Sequence, residues 1–166
     1  FSTGTKALMK WCEDTLPGYR DSGYQITFNL VGGFKSLQGY MNTIGMFYAD
    51  EIMYIFEAVT ADLIRIPRLP IQMDTNVLKA HVLKFALMAA GQLYPIDSMA
   101  DIPEALLETD GTYATLSDWG LLVWNRAKAE LLKDKLLDFP WLSSLPSFVG
   151  DFTNRNVDEQ VVLQEK

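Results

Sequence analysis

His81 is the single histidine and Cys12 the single cysteine of this 166-residue chain. Any Cys-His or Ser-His-Asp nucleophile therefore has one possible base, and a multi-histidine metal site is excluded. His81 lies at helical spacing from Val77, Phe85 and Met88. It reads either as a partly buried histidine bonded to a neighbour or as a neutral imidazole able to ligate a metal-centred pigment or haem axially. Cys12 follows Trp11 on an amphipathic segment and reads as a core cysteine; as a nucleophile it would need His81 beside it. Carboxylate pairs occur at Glu13-Asp14, Asp50-Glu51 and Glu104/Glu108; two of them suit a helix start or a solvated face, and acid–base work would need a pocket around them. Glu-x-x-His spacing is absent, which excludes a di-iron bundle. Gly32-Gly33-Phe34-Lys35-Ser36 has part of a phosphate-loop pattern without the full Gly-x-x-x-x-Gly-Lys-Ser/Thr, and reads as a turn.

The elements that would position these residues look helical. Thr3 or Thr5 caps a helix over Lys6–Leu16, which Pro17-Gly18 stops. Tyr19–Phe28 reads as a loop with a short extended piece at Tyr24–Phe28. Phe34–Phe47 has helical spacing but carries Gly39 and Gly45, so it should pack closely against a neighbour or kink there. Asp50–Arg65 is the cleanest helix: Ile52, Ile55, Phe56, Val59 and Leu63 share one face, with Glu57, Ala61 and Arg65 opposite. Asn76–Gln92 is apolar on nearly every side and predicts a central buried helix. A short helix follows over Ser98–Glu108. Thr115-Leu116-Ser117-Asp118 opens a last long helix over Leu116–Asp138. Pro140 ends it.

These patterns predict an all-α fold, an irregular bundle of about five to six helices around a central apolar helix, with an extended C-terminal arm. Residues 1–152 form a single helical domain including that arm, and residues 153–166 a polar tail. The arm carries Trp141, Leu142, Leu145, Phe148 and Phe152 among prolines and serines. That is too apolar for water, and Trp and Phe are favoured interface anchors, so these five residues are the candidate partner-docking set.

The formal net charge is −7 and charged residues make up 21% of the chain. An acidic chain with its basic residues spread singly argues against nucleic acid as a partner. The low charge density points to a surface partly covered by other protein subunits of a larger complex. No run is long and apolar enough to span a membrane, which leaves at most a peripheral association. The Phe1-Ser2 start is similar to what remains after removal of an organelle targeting sequence.

Lys6–Cys12 with Gly18-Tyr19 looks like the opening of a calponin-homology domain, but the Trp-x-Asp-Gly-Leu-Ala stretch expected next is missing. Asp74-Thr75-Asn76-Val77-Leu78-Lys79-Ala80-His81 and Thr115-Leu116-Ser117-Asp118-Trp119 are similar to helix starts in the soluble peridinin–chlorophyll proteins of dinoflagellates. That resemblance implies an all-helical protein with chlorophyll and carotenoid in an apolar interior, and His81 as a pigment ligand. The reading is then of a non-enzymatic accessory subunit of an organellar assembly, most readily a photosystem–antenna complex at a plastid thylakoid. A carrier of chlorophyll, carotenoid or lipid and a mitochondrial accessory subunit are the alternatives.

Overall fold

The computed structural model describes residues 2–32, 35–56 and 62–165. The chain divides into two compact units, Phe1–Gln72 and Met73–Lys166. Among the described residues there are seven α-helices and two three-stranded sheets, so the fold is mixed α/β and the all-α expectation is corrected.

The first unit opens with α1 (Ser2–Asp21), followed by β1 (Thr27–Asn29), α2 (Lys35–Tyr48), β2 (Glu51–Phe56) and β3 (Asp62–Pro67). Thr5, Met9, Cys12 and Leu16 recur at helical spacing and are the buried stripe of α1. The helix runs through Pro17-Gly18 rather than stopping there. Its last turn is tied down by Arg20, whose guanidinium donates to the Tyr48 carbonyl and to the Asp50 carboxylate. The Tyr48 hydroxyl in turn donates to Glu13 at 2.7 Å, fastening α2 to α1.

The sheet order is β1-β2-β3, with β1 parallel and β3 antiparallel to β2. The segment β1–α2–β2 is therefore a parallel crossover with its helix laid on the sheet. Gly45 makes the packing of α2 on β2 possible, because a Cβ there would come within 2.7 Å of Ile52 Cδ1. Gly39 has open space beside it instead.

The Asp50–Arg65 helix does not exist: this stretch holds β2 and β3, paired from Glu51↔Pro67 to Phe56↔Asp62. Half-buried Ile64 and Ile66 alternate with exposed Leu63, Arg65 and Pro67, a period of two. Ile52, Ile55 and Phe56 fit either period, and their β-branched and aromatic character is the signal that wins. Glu57, Val59 and Ala61 of the expected helix lie outside the described residues, as do Gly33 and Phe34.

The second unit holds α3 (Asn76–Ala80), α4 (Val82–Ala89), β4 (Tyr94–Pro95), β5 (Leu107–Thr109), β6 (Tyr113–Leu116), α5 (Asp118–Leu131), α6 (Pro146–Thr153) and α7 (Val157–Glu165). Two 3₁₀ turns, Ile96–Met99 and Glu104–Leu106, lie between β4 and β5. The sheet order is β4-β6-β5, all antiparallel. The core joins Leu78, Phe85 and Met88 to Leu116, Trp124, Ala127 and Val161. The Phe85 and Trp124 rings stack 6.3 Å apart.

Five expected elements are redrawn here. The helix Asn76–Gln92 is broken at His81 into α3 and α4, and of α4 only Phe85 and Met88 are fully buried. In place of the Ser98–Glu108 helix stand the end of the first 3₁₀ turn, the second 3₁₀ turn and the start of strand β5. The long helix begins after Leu116, which belongs to β6; Ser117 is the cap, its Oγ accepting from the Gly120 amide at 3.1 Å. The arm and the tail are helical over Pro146–Thr153 and Val157–Glu165. Gln160 and Gln164 in α7 are buried because their amides satisfy backbone groups of the 132–137 segment.

Candidate functional site

In the first unit, β1 runs into Leu30, Val31 and Gly32, and α2 starts at Lys35. The Leu30 amide donates to the Met53 carbonyl at 2.8 Å, carrying the β1–β2 pairing one residue further. Asn29 Oδ1 accepts from the Val31 amide at 3.1 Å and turns the chain off the sheet. Gly32 follows with φ +82, a backbone conformation that suits glycine. A parallel strand, a glycine turn and a helix start thus follow one another. In open α/β sheets this carboxyl edge of the strands is where ligands gather.

A cavity of about 370 Å³ opens there, lined by Leu30, Lys35, Gln38, Gly39, Asn42, Tyr54 and Ile66. That size falls within the range of small-molecule pockets. Lys35, Gln38 and Asn42 stand at i, i+3 and i+7 on one face of α2. Tyr54 comes from β2 and Ile66 from β3. Gln38 Nε2 donates to the Leu30 carbonyl at 3.4 Å, tying the helix face to the turn. Asn42 Oδ1 is buried with no hydrogen-bond partner among the described residues. A buried acceptor without a donor is costly, and a ligand N–H or O–H would satisfy it. The start of α2 at Lys35 also brings the positive end of the helix dipole. One cation, two amides and a phenol around a helix start form a place for an anion attached to a hydrogen-bonding group.

Residues 1–69 match the family model Cas_APE2256, a CRISPR-associated protein. The match covers less than half of the 166 residues and stops just short of Gln72, where the first unit ends. No curated protein matches the chain. The similarity to a CRISPR-associated family overturns the likeness to peridinin–chlorophyll proteins, and with it the photosynthetic, pigment-carrier and mitochondrial readings. Such families are typically prokaryotic, so the plastid thylakoid and mitochondrial locations fall as well.

His81 is half-buried at the junction of α3 and α4, capping one and opening the other. Among the described residues no group of histidine, cysteine and carboxylate side chains is arranged to hold a metal ion. Cys12 is fully buried, and burial, helped by the charge of Glu13, pushes its thiol up to about 11. A thiol held that high is protonated at neutral pH and a poor nucleophile.

Of the five arm residues, Trp141, Leu142, Leu145 and Phe148 are exposed at 66%, 59%, 70% and 44%, whereas Phe152 is fully buried. Among the described residues no helix is long and apolar enough to cross a membrane. Of the pocket residues, Lys35 enters the sequence reading only within the partial phosphate-loop pattern Gly32–Ser36, read as a turn, and Gln38 and Asn42 are not singled out there. The spacing of these three at i, i+3 and i+7 on one helix face was the available signal.

Proposed function

We propose that this chain is a non-enzymatic binding protein of a CRISPR-associated system, whose first unit takes a small phosphate-bearing ligand of nucleotide size. The observation that carries the reading is the pocket between Leu30 and α2, which Lys35, Gln38 and Asn42 line from one helix face. The phosphate would sit at the helix start with Lys35, and a hydrogen-donating group of the ligand would meet Asn42 Oδ1. The net charge of −7 favours a small ligand held by local groups over a long nucleic acid held by its backbone. Calorimetric titration of the full chain with mononucleotides, short oligonucleotides and pyrophosphate tests this. Binding should appear with at least one of them, fall about tenfold or more in Lys35→Ala, and leave the ligand chemically unchanged. Equal binding by Lys35→Ala would remove the reading, and turnover of the ligand would make the protein an enzyme.

A protein partner for the second unit is a separate reading, supported by the exposure of Trp141, Leu142, Leu145 and Phe148. Aromatic and aliphatic side chains of this size anchor interfaces. The double variant Trp141→Ser, Leu145→Ser should keep its melting temperature while the natively purified protein loses its bound subunits. A chain that purifies alone in both forms would end this reading.

A further inference from the structure

Among the described strands β5 lies at the edge of its sheet, and that edge borders a groove of the second unit of about 1030 Å³. The register fixes which backbone groups face that groove. Asp110 N–H donates to Tyr113 O and Ser117 N–H donates to Leu106 O, so residues 106, 108 and 110 are turned toward β6. Leu107 and Thr109 are turned the other way, and both line the groove. The Leu107 amide is taken by the Glu104 carbonyl. Among the described residues the Leu107 carbonyl and the Thr109 amide and carbonyl take no backbone partner and are on offer along the edge.

The floor of the groove is apolar: Met99 and Ile102 are buried and Ile96 is half-buried. Its rim carries the exposed carboxylates of Asp101 and Glu104. From Phe85 to Asn125 the sequence contains no lysine, arginine or histidine, while Asp97, Asp101, Glu104, Glu108, Asp110 and Asp118 all fall within it. A second copy of this chain would bring the same negative rim against itself, and nucleic acid would be repelled.

We infer that this groove binds an extended, lysine- or arginine-bearing segment of a partner protein, which adds as a strand to the open edge of β5. The segment's backbone would pair with Leu107 and Thr109, alternate apolar side chains would fill the floor over Met99 and Ile102, and its cations would meet Asp101 and Glu104. This surface is independent of the phosphate pocket and of the arm.

The probe is a fluorescein-labelled decapeptide of alternating lysine and valine, titrated against the full chain in low and in physiological salt. Two further versions carry N-methyl groups on every second amide, one in each phase. A strand added to β5 uses only one set of amides, so one methylated version should lose about tenfold or more in affinity and the other should bind like the parent. The variant Asp101→Asn, Glu104→Asn should weaken the parent peptide by a similar factor, and both side chains are exposed, so the fold is kept. Equal binding by both methylated versions would reduce the contact to charge attraction and overturn the proposal. No binding of the parent peptide would overturn it too, as would sedimentation showing that β5 pairs with a second copy of the chain.

Discussion

Asp50 takes two guanidinium nitrogens of Arg20 on one carboxylate oxygen, Nε at 3.2 Å and Nη2 at 3.0 Å, across 30 residues of sequence. Its other oxygen accepts the Ile26 amide at 2.8 Å. Arg68 lies 3.7 Å from the first oxygen. One side chain thus joins the end of α1, the approach to β1 and the strand that follows α2.

Burial alone would raise the Asp50 carboxyl, but the Ile26 amide and the Arg20 and Arg68 guanidinium groups outweigh it and hold it below the usual value of 3.8. The folded protein therefore binds fewer protons here than the unfolded chain. The stabilisation is fully present above the ordinary carboxylate value and is lost as pH falls through the depressed one. Asp50→Asn should cost on the order of 1 kcal/mol near neutral pH. Melting temperatures of the two proteins should converge as pH drops below 3.8. A gap that stays constant into acid would show that the charge of Asp50 contributes nothing.

The Cys12 thiol, buried and pushed up to about 11, should not react with an aromatic disulfide reagent at mildly alkaline pH in the folded protein. In denaturant one thiol per chain should titrate promptly. Fast labelling of the native protein would mean that α1 opens readily from the first unit.

Gly120 and Gly150 should respond to alanine in opposite directions. A Cβ on Gly120 would fall 2.1 Å from the Leu106 carbonyl oxygen, which is itself held by the Ser117 amide at 3.0 Å. Gly120→Ala should lose about 1–3 kcal/mol in denaturant unfolding. Gly150 in α6 has open space around it, and Gly150→Ala should gain about 0.5–1 kcal/mol through helix propensity. Equal effects at the two sites would show that the α5 start is not packed on Leu106.

Gln164 Oε1 accepts the Leu137 amide at 2.7 Å, and its Nε2 donates to the Leu132 carbonyl at 3.1 Å. Gln164→Leu fills similar space but strands a buried N–H and a buried carbonyl. The expected loss is about 1–3 kcal/mol. Amide exchange should locate it, with faster exchange at Leu137 while the Phe85–Trp124 core stays protected.

Where a pattern is carried by neighbours along the chain, it was legible. Cys12, read as a core cysteine on an amphipathic segment, is fully buried, and a helix does follow the Thr115–Asp118 stretch, though it starts two residues later than Leu116, at Asp118 with Ser117 as its cap. What the chain does between Glu51 and Pro67 was not. Ile52, Ile55 and Phe56 satisfy a helical stripe and a strand equally, and β2 exists because β1 and β3 pair with its two edges. Gln160 and Gln164 look like tail residues until the backbone of 132–137 comes within reach of their amides. The pocket follows the same rule. Lys35, Gln38 and Asn42 share a helix face by local geometry alone. Only the sheet, by bringing Tyr54 and Ile66 from two other strands to that face, encloses a cavity there.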